Sequence, residues 1–126
     1  MGAISLKLEI RGANRRVTVT ALLDTGARRN FMRRTLESGF SVDDVGISTF
    51  HGKQSAWLAD GTEIVGDSVE FPSMCLLERE VRDAPFILLA SLRADAIIGQ
   101  LTMQDLDVHL RPHIHQAWRH ANRGPG

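Results

Sequence analysis

Apolar and polar residues alternate strictly near the start of the chain. Ile4, Leu6, Leu8 and Ile10 are apolar; Ser5, Lys7 and Glu9 between them are not. A period of two puts each set on its own face, so this segment is a half-buried strand. Arg11-Gly12-Ala13-Asn14 reads as a turn, and Arg16 to Leu23 as a second strand with the apolar run Val17-Thr18-Val19-Thr20-Ala21-Leu22-Leu23. The spacing then changes. Asn30 stands as a helix cap before Phe31-Met32-Arg33-Arg34-Thr35-Leu36-Glu37, with Gly39 as the stop.

Val45 to Leu58 reads as extended, interrupted by His51-Gly52-Lys53-Gln54, which would form a hairpin tip. Ala59-Asp60-Gly61-Thr62 is a stronger turn, because Asp-Gly accepts the positive φ angles of tight hairpins. Strands follow over 63–71, with Gly66 as a bulge, over 74–81 and over 85–90. Asp95-Ala96-Ile97-Ile98-Gly99 is a short buried strand ending in glycine. Residues 101–106 have helix spacing, 107–111 return as a strand, and 112–126 read as a loosely held tail. Many short strands at close turn spacing predict an all-β closed barrel or sandwich.

Composition narrows the picture in three ways. The 126 residues suit one domain, and 43% apolar with 24% charged is ordinary for a soluble globular chain. Lys+Arg and Asp+Glu are both 15, so the basic excess of a nucleic-acid binder is missing, and a barrier to self-association is removed. Cys75 is the sole cysteine, which excludes an intrachain disulfide and predicts a cytoplasmic protein. Met1 to Lys7 does not read as a secretory leader, and apolar runs such as Phe86-Ile87-Leu88-Leu89-Ala90 are too short to span a membrane.

The candidate chemistry lies at the end of the second strand. Asp24-Thr25-Gly26 follows the apolar run and precedes Ala27. The strand delivers Asp24 to its end, Gly26 supplies backbone freedom for a tight turn, and the Thr25 hydroxyl can hydrogen-bond locally. Aspartic proteases present a catalytic carboxylate in this way. The chemistry needs two carboxylates and the chain has one such triplet, so the feature predicts an activity and a subunit number together.

Two segments now stand in order: Leu22-Leu23-Asp24-Thr25-Gly26-Ala27, and Ala96-Ile97-Ile98-Gly99 followed by a helix. Together they resemble the retropepsin family, the single-domain aspartic proteases of retroviruses, retrotransposons and some cellular proteins. The resemblance covers residues 4 to 111. It implies an all-β closed barrel with one or two short helices over 1–111, a tail over 112–126, and a homodimer that hydrolyses peptide or protein substrates.

By resemblance, Asp24, Thr25 and Gly26 are catalytic. Thr25 braces the opposite subunit's loop and Gly26 meets substrate backbone. Ile97, Ile98 and Gly99 pass through the catalytic loop and support it. Leu22, Ala27, Arg28, Phe31, Gly52 and Ile97 are the substrate-binding candidates, with Asp95 as a further pocket wall. The flap tip is expected at His51-Gly52-Lys53, with Trp57 on the returning strand or else in the core. Two Asp24 carboxylates across a two-fold axis would share one proton, because like charges that close cannot both ionise. The ionised one takes a proton from water and the protonated one polarises the peptide carbonyl. No cofactor and no metal are needed.

The chain departs from the family at several points. The expected flap has a single glycine, Gly52. Arg28 and Arg29 replace acidic residues, and Gln100 stands where viral members have a dimer-bracing arginine. The two arginines either favour acidic substrates or sit as solvated charges at the rim. A non-catalytic dimerisation or peptide-binding module of the same fold is the alternative, and an unrelated barrel with Asp24 in a turn is a third. His109, His113, His115 and His120 lack a nearby cysteine and match no zinc spacing, so no metal site is expected. Arg28, Arg29, Arg33 and Arg34 read as a solvated helix face rather than an RNA contact, and Cys75 as a small core residue.

Overall fold

The computed structural model describes residues 4–57 and 60–106. The expected strand over 107–111, the tail and the four C-terminal histidines lie outside the described residues. Seven strands follow in order: β1 (Ile4–Arg11), β2 (Arg16–Leu23), β3 (Phe31–Arg33), β4 (Thr49–Trp57), β5 (Glu63–Leu76), β6 (Arg79–Leu89) and β7 (Ala96–Ile98). Among the described residues one α-helix, α1, covers 100–106, and a 3-10 turn covers Val42–Asp44.

The strands join as β1-β2-β7-β3-β6-β5, and the far end of β5 pairs back onto β1, from Leu8↔Leu76 to Arg11↔Ser73. That contact closes a six-stranded barrel and removes its open edges. β4 stays outside the ring and forms a hairpin with the first half of β5. The all-β barrel with one short helix therefore agrees with the expected class.

Alternation in β1 works as the sequence predicts: Ile4, Leu8 and Ile10 are buried. They join Val19, Ala21 and Leu23 from β2 and Val69, Phe71 and Met74 from β5 in one continuous core. Phe71 and Phe86 meet edge to face with ring centroids 5.9 Å apart, a favoured aromatic geometry. A second, smaller cluster forms on the other face of three strands. Phe31, Ile87, Leu89 and Ile97 point there, while their neighbours Met32, Leu88, Ala96 and Ile98 point into the main core. Strands buried on both faces lose their alternation, which is why β6 and β7 read as continuous apolar runs.

Four expectations are corrected. Residues 31–37 are not a helix. Phe31–Arg33 is a strand that pairs with β6 in parallel and with β7 antiparallel. Partners on both flanks satisfy its backbone, and helix propensity is too weak to compete. Gly39 instead closes a turn, donating to the Leu36 carbonyl at 2.8 Å. The second correction is at 51–54, which is no hairpin tip: β4 runs through it with a register shift between Phe50 and Gly52. The bulge therefore lies there and not at Gly66, which pairs regularly with Gln54. Gly66 is needed for close packing, since a Cβ would sit 2.5 Å from the Leu88 carbonyl oxygen.

Third, 74–81 is not one strand. Leu77 and Glu78 have φ of 52° and 63° and turn the chain between Leu76 and Arg79. Both central residues at positive φ are the mark of a type I′ hairpin turn. The expected strand at 85–90 is thus the second half of the longer β6. Fourth, the four arginines form no helix face. Arg33 pairs with Asp95 at 2.8 Å, and Arg34 with Asp43 at 3.1 Å and with Asp67. Cys75 is half-buried on β5, between Glu9 and Glu80 of the flanking strands.

Asp67 also receives Lys53 Nζ at 2.6 Å, and its side chain is 15% exposed. The hydrogen bond from Lys53, helped by the charges of Lys53 and Arg34, holds its carboxyl below the ordinary value against the cost of desolvation. A depressed folded-state value stabilises the fold above the unfolded value of about 3.9, and this is lost as pH falls through the folded value. Asp67→Asn should lower Tm at pH 7, and the gap to wild type should close between about pH 5 and pH 2. Thermal melts across that range check it; a gap of constant size would show that charge is not the cause.

Candidate active site

β7 lies beside β2 in parallel, with Ala21↔Ala96, Leu22↔Ile97 and Leu23↔Ile98 opposite one another. On its other flank Ile97 faces Phe31 of β3. The loop over 24–30 must therefore stride across β7 to join β2 to β3. The Asp24 amide donates to the Ile98 carbonyl at 3.0 Å, so the β2–β7 ladder extends into the loop.

The chain leaving β7 then passes against that loop. Gly99 makes the crossing, and a Cβ there would lie 2.3 Å from the Arg29 carbonyl oxygen. Gln100 N donates to Ala27 O at 2.7 Å and Leu101 N to Arg28 O at 3.1 Å. The loop carbonyls thereby satisfy amides at the start of α1 that have no partner within the helix.

Asn30 locks the crossing. It is 4% exposed and caps no helix. Its Oδ1 accepts from Gly99 N at 2.9 Å, and its Nδ2 donates to Thr102 Oγ1 at 2.8 Å and to Pro85 O at 3.0 Å. Its own carbonyl accepts from Ile87 N at 2.9 Å. One side chain thus ties the loop to β7, α1 and β6.

At the loop's near end, Asp24 Oδ1 accepts from Gly26 N at 2.9 Å, and the Asp24 carbonyl accepts from Ala27 N at 3.1 Å. Asp24 lines a cavity of about 620 Å³. Asp24, Gly26 and Ala27 form the floor; Phe31, Leu89 and Ile97 form one wall. Trp57, Asp60, Ile64 and Val65 of the β4–β5 hairpin form the roof, and residues 90–93 complete the rim.

Asp24, Gly26, Ala27, Phe31 and Ile97 all line this cleft. Thr25 is exposed beside it. Leu22 is half-buried and packs behind the wall on the second apolar cluster. Ile98 faces the main core and Gly99 sits in the crossing, so both support the loop from below. Leu22 and Thr25 are outside the cleft lining, and so are three further candidates. Arg28 is exposed and absent from the cleft lining. Gly52 sits at the β4 bulge opposite Ser68, far down the hairpin from the roof. Asp95 turns away to bind Arg33 and the Glu37 amide. The roof is the Asp60-Gly61 end of the hairpin, not His51-Gly52-Lys53, and Trp57 lies on the outgoing strand. It is 68% exposed, so it is no core residue.

One residue was not foreseen. Arg93 Nη2 donates to Asp24 Oδ2 at 2.5 Å. No motif marks it; a lone arginine in a loop carries no signal. Among the described residues no three His, Cys, Asp or Glu side chains gather to hold a metal ion.

No protein-family model matches the chain, and neither does any curated protein. Among solved structures it is similar to a protein of unknown function (DUF785) from Legionella pneumophila subsp. pneumophila str. Philadelphia 1. The TM-score is 0.49 at 14% identity, over 82% of this chain and 86% of that one.

Asn30→Leu keeps the volume and strips the partners from Gly99 N and Pro85 O. A buried polar group left unpaired costs about 1–3 kcal/mol, so the pair should cost roughly 3 kcal/mol of stability. Urea unfolding measures this; a loss below about 1 kcal/mol would mean that the amide is not what holds the crossing.

Proposed function

We propose that this chain is one half of a retropepsin-like aspartic endopeptidase, completed when an identical copy docks against it. The observation that carries the reading is the seat of Asp24. A strand end delivers the carboxylate to the lining of a mostly apolar cleft, the β7 crossing holds its loop, and one oxygen accepts from Gly26 N.

In the dimer the two Asp24 carboxylates hold one proton between them. The ionised one removes a proton from a water placed between them, and the protonated one donates to the carbonyl oxygen of the scissile peptide. Water oxygen adds to the carbonyl carbon. The C–N bond then breaks as the nitrogen is protonated, and no covalent intermediate forms. Substrate would lie extended and be recognised through its backbone in the strand-addition mode. The exposed apolar side chains of Trp57 and Val65 suit the hairpin to cover it and exclude water.

A second reading, a non-catalytic peptide-binding or dimerisation module, has one observation in its favour. The Arg93 guanidinium caps Asp24 Oδ2.

Asp24→Asn should keep the fold and lower kcat/KM on a peptide substrate by at least about a hundredfold, the scale of a lost acid–base group. Wild-type activity should pass through an optimum in mildly acid solution and fall on both sides, since the pair works only with one proton. Sedimentation should show a dimer. A monomer that still cleaves, or an Asp24→Asn variant of undiminished activity, would exclude the mechanism.

A further inference from the structure

Arg93 is the one cationic residue lining the cleft among the described residues, where Asp24 and Asp60 are the acids. Asp60 is already engaged at the hairpin tip, where its Oδ1 accepts from Thr62 N at 2.9 Å. Among the described residues Arg93 pairs with Asp24 alone, and its side chain is 60% exposed.

The root of Arg93 is held firmly. Asp95 Oδ1 accepts from Arg33 Nη2 and from Glu37 N, both at 2.8 Å, and the Asp95 carbonyl accepts from Arg33 N at 2.8 Å. The Leu92 carbonyl faces Arg33 Nη1 at 3.4 Å. The loop is braced on both sides of Arg93 while the guanidinium reaches over the cleft, so its head can exchange partners without the backbone moving.

Charge counting then decides what it does; this step rests on the dimeric protease reading. In a single chain the Arg93 and Asp24 charges balance. In the working pair two Asp24 side chains hold one proton and carry one negative charge, yet two guanidinium groups face them. Arginine keeps its charge at any working pH, so one Arg93 lacks a counter-ion. The capped Asp24 oxygen must also be exposed before a water can sit against it.

We propose that Arg93 recognises an acidic side chain of the substrate, and that the incoming carboxylate draws the guanidinium off Asp24. The planar fork of arginine suits a carboxylate in paired hydrogen bonds. Recognition and uncapping are then one event, and acidic peptides are the preferred class. Selection for acid is thereby placed at Arg93, in the cleft, and not at Arg28 and Arg29, which are absent from its lining.

The test uses pairs of peptides that differ by Glu or Gln at one position, scanned along the segment flanking the scissile bond. Wild type should favour Glu at one position by about tenfold or more in kcat/KM, the worth of a charged hydrogen bond. Arg93→Gln should bring the two peptides within about twofold and cleave the Gln peptide faster than wild type does, because Asp24 is no longer capped. Anisotropy of the same labelled peptides on Asp24→Asn reads recognition without hydrolysis. There the Glu peptide should bind tighter, and the Asp24→Asn, Arg93→Gln double variant should not discriminate. Discrimination in binding with no cleavage by wild type would support the role of Arg93 and overturn the protease reading. Equal Glu and Gln ratios in wild type and Arg93→Gln, in both cleavage and binding, would overturn the proposal for Arg93 alone.

Discussion

The passage of Gly99 beneath the 24–30 loop is the constraint on which the rest of the molecule depends. β2 and β3 are consecutive in the chain but are kept apart by β7, so the loop between them has to bridge a third strand. Nothing but a hydrogen atom fits on the Cα of residue 99 at that point. The buried amide of Asn30 converts the close approach into a fixed one, because it serves the loop, β7, β6 and α1 at once. Buried polar groups are costly when unmet, so a side chain that meets three of them tolerates little displacement.

Rigidity below and adaptability above define the cleft. Its floor and wall hang from the crossing and from strands buried on both faces. Its roof belongs to a hairpin that leaves the barrel, with β4 bonded to β5 and exposing Phe50 and Trp57. Such a hairpin has few buried contacts and belongs to the lower-stability part of a structure. The cleft thus pairs a fixed carboxylate with a more loosely held apolar cover.

How much of this was legible in sequence depended on whether the signal was local. β1 and β2 carried their alternation openly, Asp60-Gly61 marked its turn, and Ile97-Ile98-Gly99 stood out as a buried strand ending in glycine. Asp24 was legible because an apolar run and a Gly-containing turn framed it. Phe31 to Arg33 misled because a three-residue strand makes no period, and its partners are brought in from distant parts of the chain. The turn at Leu77 and Glu78 was hidden because neither residue is a turn former; the pairing of β5 with β6 imposes the positive φ on them. The hairpin tip was misplaced because Gly52 looked like a turn when it serves a bulge. Asn30 and Arg93 were invisible as a hub and a partner, since their roles exist only after the crossing has brought far segments together.

β7 also dictates the order in which the molecule can be assembled. As the chain emerges during synthesis, β1 and β2 can zip into a hairpin at once, but the slot between β2 and β3 has no occupant until residues 96–98 appear. Until then the facing edges of β2 and β3 have no strand between them. Long loops closed late make for slow folding and for a vulnerable interval, during which a nascent chain is open to capture by its own kind or by a chaperone. The same threading that immobilises Asp24 in the finished protein thus makes the barrel's last insertion the step at which its production is most exposed to failure.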